Sequence, residues 1–270
     1  MGTQNELDAE TARDITLRVL AQRVSRYGDS GPDLSPAGSA RYRHDGRRLL
    51  VGYATAQPGM AAGVVQRVNT YAVGLDLTVH WLVTPETPGE EELPAALRAA
   101  RYQLDERLIL MARRGVIVAQ SNPAARVEPI TSYDAMRVYE HGSRRSFYDD
   151  QQPNERMVAS RAADRWRQQS QGWYRYYLTL LDGRVVGGCY VSLWEQVPTV
   201  MGVYTVTEAR GRGAATALLR HVASDITRAG HNAYCLYVKD DNPAQHLYER
   251  LGFRRLTTDE TYLSPTGKFR

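Results

Sequence analysis

The residues Arg210-Gly211-Arg212-Gly213-Ala214-Ala215 put two guanidinium groups and two glycines at the junction between a β-rich run, Val200 to Val206, and an amphipathic helical pattern. The chemistry this spacing suits is anion binding. A helix start leaves four backbone N–H groups without intrahelical partners, and glycine lets a phosphate approach them with no Cβ in the way. Ala215, Leu218, Leu219, Val222 and Ile226 recur at helical spacing, so one face of the helix is expected to pack on a sheet, and Gly230 supplies the stop. A tight turn with solvated arginines fits the same residues equally well. The glycine spacing is not that of a dinucleotide fingerprint, and the Lys-Ser/Thr of a P-loop is absent.

A second block follows. Ala233 to Val238 is a short apolar and aromatic run expected to be a buried strand, and Asn242-Pro243 predicts a helix with Asn as N-cap and Pro at the first helical position. That helix, Ala244 to Leu251, stops at Gly252-Phe253. Together, Arg210-x-x-Gly213-x-Ala215 and Asn242, Ala244, Tyr248, Leu251-Gly252-Phe253 resemble the pyrophosphate loop and second core half of the GNAT superfamily of acyl-CoA-dependent N-acyltransferases. The resemblance covers residues 125 to 265.

The resemblance implies that acetyl-CoA is the co-substrate and that Arg210, Gly211, Arg212, Gly213, Ala214 and Ala215 hold its diphosphate. It also implies that Val203, Tyr204, Thr205 and Val206 pair through their backbone with the pantetheine arm, where that strand splays from the next. Asn242 belongs to the matched motif and joins this cofactor-binding set. Tyr248 matches the tyrosine that faces the CoA sulfur in many family members, making it the candidate general acid. Glu195, at a turn after Trp194, is the candidate base acting through water, with a solvated hairpin residue as its competing reading. By the same resemblance, Arg144 to Tyr148 and Trp173-Tyr174 would build the acceptor wall; ordinary packing with a solvated rim explains them as well.

The elements that must position these groups are those of a globular chain. Of its 270 residues 43% are hydrophobic and 24% charged, which is folded-protein composition and leaves no apolar run long enough for a membrane span. The formal charge of +4 comes almost wholly from arginine, since Lys239 and Lys268 are the only lysines, and no basic run suggests a nucleic-acid partner. Cys189 and Cys235 fall in predicted interior strands, where a thiol acts as a small core residue. The histidines show no metal-ligand spacing, so no metal is expected. Met1 to Glu6 has neither a basic start nor an apolar segment, and a soluble, cytoplasmic protein is expected.

In the first half, Leu7 to Val24 predicts a helix, Arg47 to Ala54 the second arm of a hairpin after Asp45-Gly46, Leu75 to Val83 a strand, Leu93 to Ala100 a helix, and Leu108 to Met111 an edge strand. Strand, short helix, aromatic turn (Arg101-Tyr102, then Gly252-Phe253) and strand thus occur twice. Residues 1–118 are expected to be a smaller GNAT-like α/β domain that has lost its phosphate loop, although any small α/β unit could give this element order. The linker is expected near 113–125, and residues 125–270 form the second domain. Its order is strand, two helices, three antiparallel strands, helix, strand, helix, strand, the order of a GNAT domain. The predicted fold is α/β with a central mixed, mostly antiparallel sheet flanked by helices.

The resulting expectation is acetyl transfer from acetyl-CoA to a primary amine of a small molecule or peptide by direct attack in a ternary complex. A tandem-GNAT transferase that uses aminoacyl-tRNA and a non-catalytic acyl-CoA-binding module are the alternatives. The N-terminal domain is expected to support one wall of the acceptor cleft or an oligomer contact such as a homodimer.

Overall fold

The computed structural model describes residues 7–24, 28, 31–148, 153–193 and 196–265. They form two compact units. The first comprises residues 1–15, 111–237 and 243–254, and the second comprises 16–110, 238–242 and 255–270. Relative to a division into 1–118 and 125–270, each terminal segment groups with the opposite half of the chain. Among the described residues no helix is long and apolar enough to cross a membrane.

The second unit is built on β1 (Gly38–Asp45), β2 (Arg48–Ala56), α2 (Ala61–Gly74), β3 (Thr78–Val83), α3 (Leu93–Ala99), the start of β4 (Gln103–Arg114) and β10 (Arg254–Leu263). Asp45-Gly46 closes the β1–β2 hairpin, with Gly46 at φ 60°, as the turn chemistry predicts. β2 then runs parallel to β3, joined by α2. Val64, Val65, Val68 and Ala72 give α2 its buried face, packed against Leu49, Val51, Val79 and Trp81. No side chain caps α2, so apolar burial holds it, at about 1.5–3 kcal/mol for each large aliphatic side chain buried. α2 is not among the expected elements, and β1 is implied only as the first arm of the expected hairpin. β10 pairs antiparallel with β3, Glu260 opposite Val83 and Leu263 opposite His80. β4 has a neighbour on each side, β10 and β9 (Ala233–Lys239), so the expected edge strand is an interior one. Ile109, Leu110 and Met111 are accordingly buried.

The first unit contains α1's opening residues (α1, Ala9–Val24), β5 (Ala125–Pro129), α4 (Tyr133–Phe147), α5 (Glu155–Ser170), β6 (Tyr174–Leu181), β7 (Arg184–Ser192), β8 (Thr199–Thr205), α6 (Ala214–Arg228), most of β9 and α7 (Ala244–Arg250). β5 through β8 are successively antiparallel, and β8 to β9 is parallel. The predicted order of elements is therefore present, in an α/β fold with a mixed, mostly antiparallel sheet. Ser132 caps α4 as expected, its Oγ accepting from Ala135 N–H at 3.1 Å.

Strand alternation sorts the helices onto two faces. Tyr176 points to α4 and α5, where it clusters with Met136, Tyr139, Ala162 and Tyr204. Its neighbour Tyr177 points the other way and donates to Asp225 of α6 at 3.1 Å. Cys189 and Cys235 are buried free thiols.

Candidate functional site

β8 is bent before it reaches the glycine loop. Gly188 pairs with Tyr204 but Tyr190 with Met201, so β8 carries one extra residue, a bulge with Gly202 at φ 59°. A side chain at Gly202 would collide with the Tyr190 ring, 2.8 Å from the added Cβ, and lie 3.1 Å from the Tyr139 hydroxyl. Pairing with β9 is limited to Thr199–Cys235 and Val200–Leu236. From Met201 onward β8 departs from its parallel neighbour, which is the splay expected along Val203 to Val206.

The direction of the free groups follows. Val206 N–H donates to Val186 O at 2.8 Å, so alternation turns the Thr205 N–H away from β7, toward the side that β9 has left. Gly187 makes this close pairing feasible: a Cβ there would meet the Tyr204 carbonyl at 2.6 Å. Val203 and Thr205 are half-buried, whereas the Tyr204 side chain is buried among α4 residues and donates to Tyr139 O at 3.3 Å. Tyr204 therefore offers the splay only its backbone.

After β8 a single 3-10 turn, Thr207–Ala209, leads into the loop. Gly211 and Gly213 adopt φ 73° and 77°, and Gly213 is the N-cap of α6. Among the described residues no side chain caps this helix. Its first intrahelical bond runs from Ala217 N–H to Gly213 O, at 3.0 Å. The preceding amides of Ala214, Ala215 and Thr216 are the orphan donors of a helix start, with its partial positive charge behind them. The opposite face of α6 is buried through Leu218, Leu219, Val222 and Ile226, which anchors this end rigidly.

The arginines are tied back. Arg210 Nε donates to Thr205 O at 3.2 Å, and Arg212 pairs with Asp182 at 2.8 Å, so half of the charge expected here is already matched within the chain. Asn122, read above only as part of the linker, braces the loop. Its Nδ2 donates to Arg212 O at 3.0 Å, and its Cβ would lie 3.3 Å from any Cβ added at Gly213. Nothing in the Asn122-Pro123 dipeptide signals this role, since the contact spans 90 residues of sequence.

Tyr248 sits on α7, buried and edge-on to Phe253 with ring centroids 5.8 Å apart. Burial, with a contribution from the nearby Cys189 thiol, pushes its phenol up to about 12. It is thus protonated throughout the neutral range, the state a proton donor requires. Asn242 lies in the β9–α7 loop, which groups with the second unit, and its N–H donates to Lys239 O at 3.0 Å. Pro243, at the start of α7, already has helical φ and ψ (−62° and −10°), the conformation expected of a proline that opens a helix. Glu195 and Trp194 lie outside the described residues.

On the α4–α5 face, sequence patterning misses a buried ion pair. Arg165 donates to Glu140 at 2.7 Å, and its guanidinium lies within 6 Å of the rings of Tyr139, Tyr176 and Tyr190. Tyr176 and Tyr190 are stacked, 5.1 Å between centroids. Of the expected acceptor wall, Phe147, Tyr148 and Trp173 are exposed, Arg144 stacks on Tyr148, and Arg145 pairs with Glu208 of the 3-10 turn at 3.2 Å. Among the described residues no cluster of His, Cys, Asp and Glu is placed to hold a metal.

Residues 137–253 match the family of acetyltransferases known as GNAT. Over 96% of its length the chain is 27% identical to a mycothiol acetyltransferase of Rhodococcus jostii (strain RHA1), itself covered to 96%. A GCN5-related N-acetyltransferase from Kribbella flavida superposes with a TM-score of 0.66 at 16% identity, covering 96% of this chain and 97% of that one. A tandem GNAT protein from the clavulanic acid biosynthesis pathway does so with a TM-score of 0.58 at 17% identity, covering 96% of both. The uncapped helix start beside a splayed, bulged strand lies within the residues that match this family, and the chain is an acyltransferase.

Proposed function

We propose that the first unit transfers an acetyl group from acetyl-CoA to a primary amine by direct attack, with no acyl-enzyme. The observation that carries this is the combination of orphan amides at Ala214 to Thr216 with the Thr205 N–H turned toward the side that β9 has left. One suits a diphosphate, and the other suits an amide-bearing arm. Acetyl-CoA supplies the activated acyl group. The chain's residues hold and orient: Gly211 and Gly213 give the diphosphate access to the amides, and Val203 to Val206 fix the arm by backbone bonds. Tyr248 keeps a proton for the departing sulfur. Cys189 and Cys235 are fully buried, and burial pushes the Cys189 thiol well above its ordinary range, which disfavours a thiolate nucleophile. The name of the Rhodococcus jostii relative directs the acceptor search first to mycothiol and its amine precursors, then to other small amines and peptide N-termini.

The test is thermal stabilisation by acetyl-CoA followed by release of free thiol with a panel of amines. Stabilisation and amine-dependent thiol release are expected. Stabilisation without turnover on any amine would favour a non-catalytic acyl-CoA-binding module. No thermal shift at all would point to another acyl donor, such as aminoacyl-tRNA.

A further inference from the structure

The second unit repeats the plan of the site and closes it from within. One constant offset in sequence relates Gly38 to Gly187, Tyr53 to Gly202 and Gln57 to Val206, and each pair has the same structural part. Gly38 and Gly187 both lie against a carbonyl of the next strand that leaves no room for a Cβ. Tyr53, at φ 54°, is the bulge residue of β2 as Gly202 is of β8. Gln57 N–H donates to Ala37 O as Val206 N–H donates to Val186 O. The correspondence resumes later: Tyr102 N–H donates to Leu97 O as Phe253 N–H does to Tyr248 O, with Arg101 and Gly252 both at positive φ between them.

This registration makes Ala56 the counterpart of Thr205, the residue whose N–H faces the splay. In the second unit that N–H is taken: it donates to Gly89 O at 2.8 Å. The next free amide of the loop, Gly59, donates to both carboxylate oxygens of Glu92, at 2.9 and 3.2 Å. Gly89 and Glu92 belong to one segment, residues 84–92, between β3 and α3. The equivalent connection between β9 and α7, residues 240–243, is less than half as long.

The segment is seated by more than these bonds. Thr84 N–H donates to the buried Glu90 at 2.8 Å, Thr84 Oγ1 donates to Asp259 at 2.7 Å, and turns close at Thr87 and Glu90. Gly89, at φ 87°, lies so close to Thr55 that an added Cβ would be 3.1 Å from its Cβ. The loop before α2 has shrunk in parallel: four residues separate Ala56 from Ala61, against eight between Thr205 and Ala214.

We infer that residues 84–92 are a built-in occupant of the second unit's cleft, with the Gly89 carbonyl and the Glu92 carboxylate taking the two backbone positions that the proposed function gives to acyl-CoA in the first unit. The chain then binds one acyl-CoA, and the closed cleft is a filled counterpart of the site rather than a second site. The inference rests on the proposed function only for the identity of the ligand shut out.

Amide hydrogen exchange on the full-length protein tests it. Ala56 and Gly59 should exchange slowly in the free protein and at an unchanged rate under saturating acetyl-CoA. In Glu92→Ala, Gly59 should exchange at least about tenfold faster. Rapid exchange at both amides in the free wild-type protein, or a change at them on adding acetyl-CoA, overturns the inference. Amides 214–216 report separately: if acetyl-CoA does not slow them while Ala56 and Gly59 stay slow, the reading of the first unit fails and the closed cleft stands. Equilibrium dialysis giving two acetyl-CoA per chain would also overturn it.

Discussion

The two repeats share a hairpin, a bulge, a parallel crossover and an aromatic turn, yet they differ at every position where chemistry would need a free group. In the C-terminal repeat α6 starts with open amides after a long glycine loop, whereas in the N-terminal repeat the shortened loop has its amide held by Glu92. Tyr248 on α7 is matched by Leu97 on α3, fully buried and without a proton to give. The difference teaches that the scaffold of a binding cleft can persist after its working groups are gone, because hairpin and crossover are stabilised by apolar burial that ligand binding does not require.

The largest effect should come from removing the group that only one repeat has. Tyr248→Phe is expected to lower kcat by about 10²-fold, with the KM for acetyl-CoA little changed. Steady-state kinetics with saturating donor measures this, and undiminished turnover would remove Tyr248 from the mechanism. Next is the loop. Gly213→Val imposes a β-branched side chain at φ 77° and against Asn122, at a cost of about 1–2 kcal/mol in backbone strain alone, so acetyl-CoA affinity should fall about tenfold or more. Calorimetric titration distinguishes that from a variant that binds normally, an outcome that would place the diphosphate elsewhere.

A smaller effect separates the repeats by pH. Glu90 is buried, and burial outweighs its bond from the Thr84 N–H while Asp259 and Glu91 add like charge, so its carboxyl is pushed up to about 8. A raised carboxyl pKa favours the protonated folded state: the contribution is fully present below about 4.5 and is lost as pH rises toward 8. Glu90→Gln keeps an acceptor for Thr84 and removes the titration. Its Tm should exceed that of the wild type by a few degrees at pH 8, the gap shrinking toward pH 5, given about 2–4 °C per kcal/mol at this size. Parallel thermal melts with no such convergence would show Glu90 already ionised in the fold. The smallest expected effect is none: Leu97→Tyr restores a phenol to the N-terminal repeat, yet should add no turnover to a Tyr248→Phe background, because the cleft beside it stays filled. Any recovered activity would sink the closed-cleft inference.

How much of this was legible in the sequence depends on whether a feature has a period or a fixed spacing. α6 and its loop are readable because apolar residues recur at helical spacing behind two glycines, and the β6–β7 hairpin because Asp182-Gly183 sits between two apolar runs. The repeat was half visible: its aromatic turns match, but Arg101 stands where Gly252 does, masking the motif. The bulges were invisible, since a single positive φ, at Tyr53 in one copy, leaves no pattern. Residues 84–92 read as a polar loop with two prolines, and polarity alone gives no hint that Glu90 is buried. The Glu140–Arg165 pair was missed for the same reason: each charge looks solvated until its partner, 25 residues away, is seen. Glu195 falls outside the described residues, so the base stays a proposal from sequence.

The crossing of the terminal segments has a bearing on inheritance. The last strand of the chain has as its antiparallel neighbour a strand encoded in the opposite half, so a gene shortened to its catalytic part would produce a protein whose β10 has lost its mate β3 and whose bare margin invites self-association. The N-terminal half is then kept for the mate it gives β10, whatever its own chemistry.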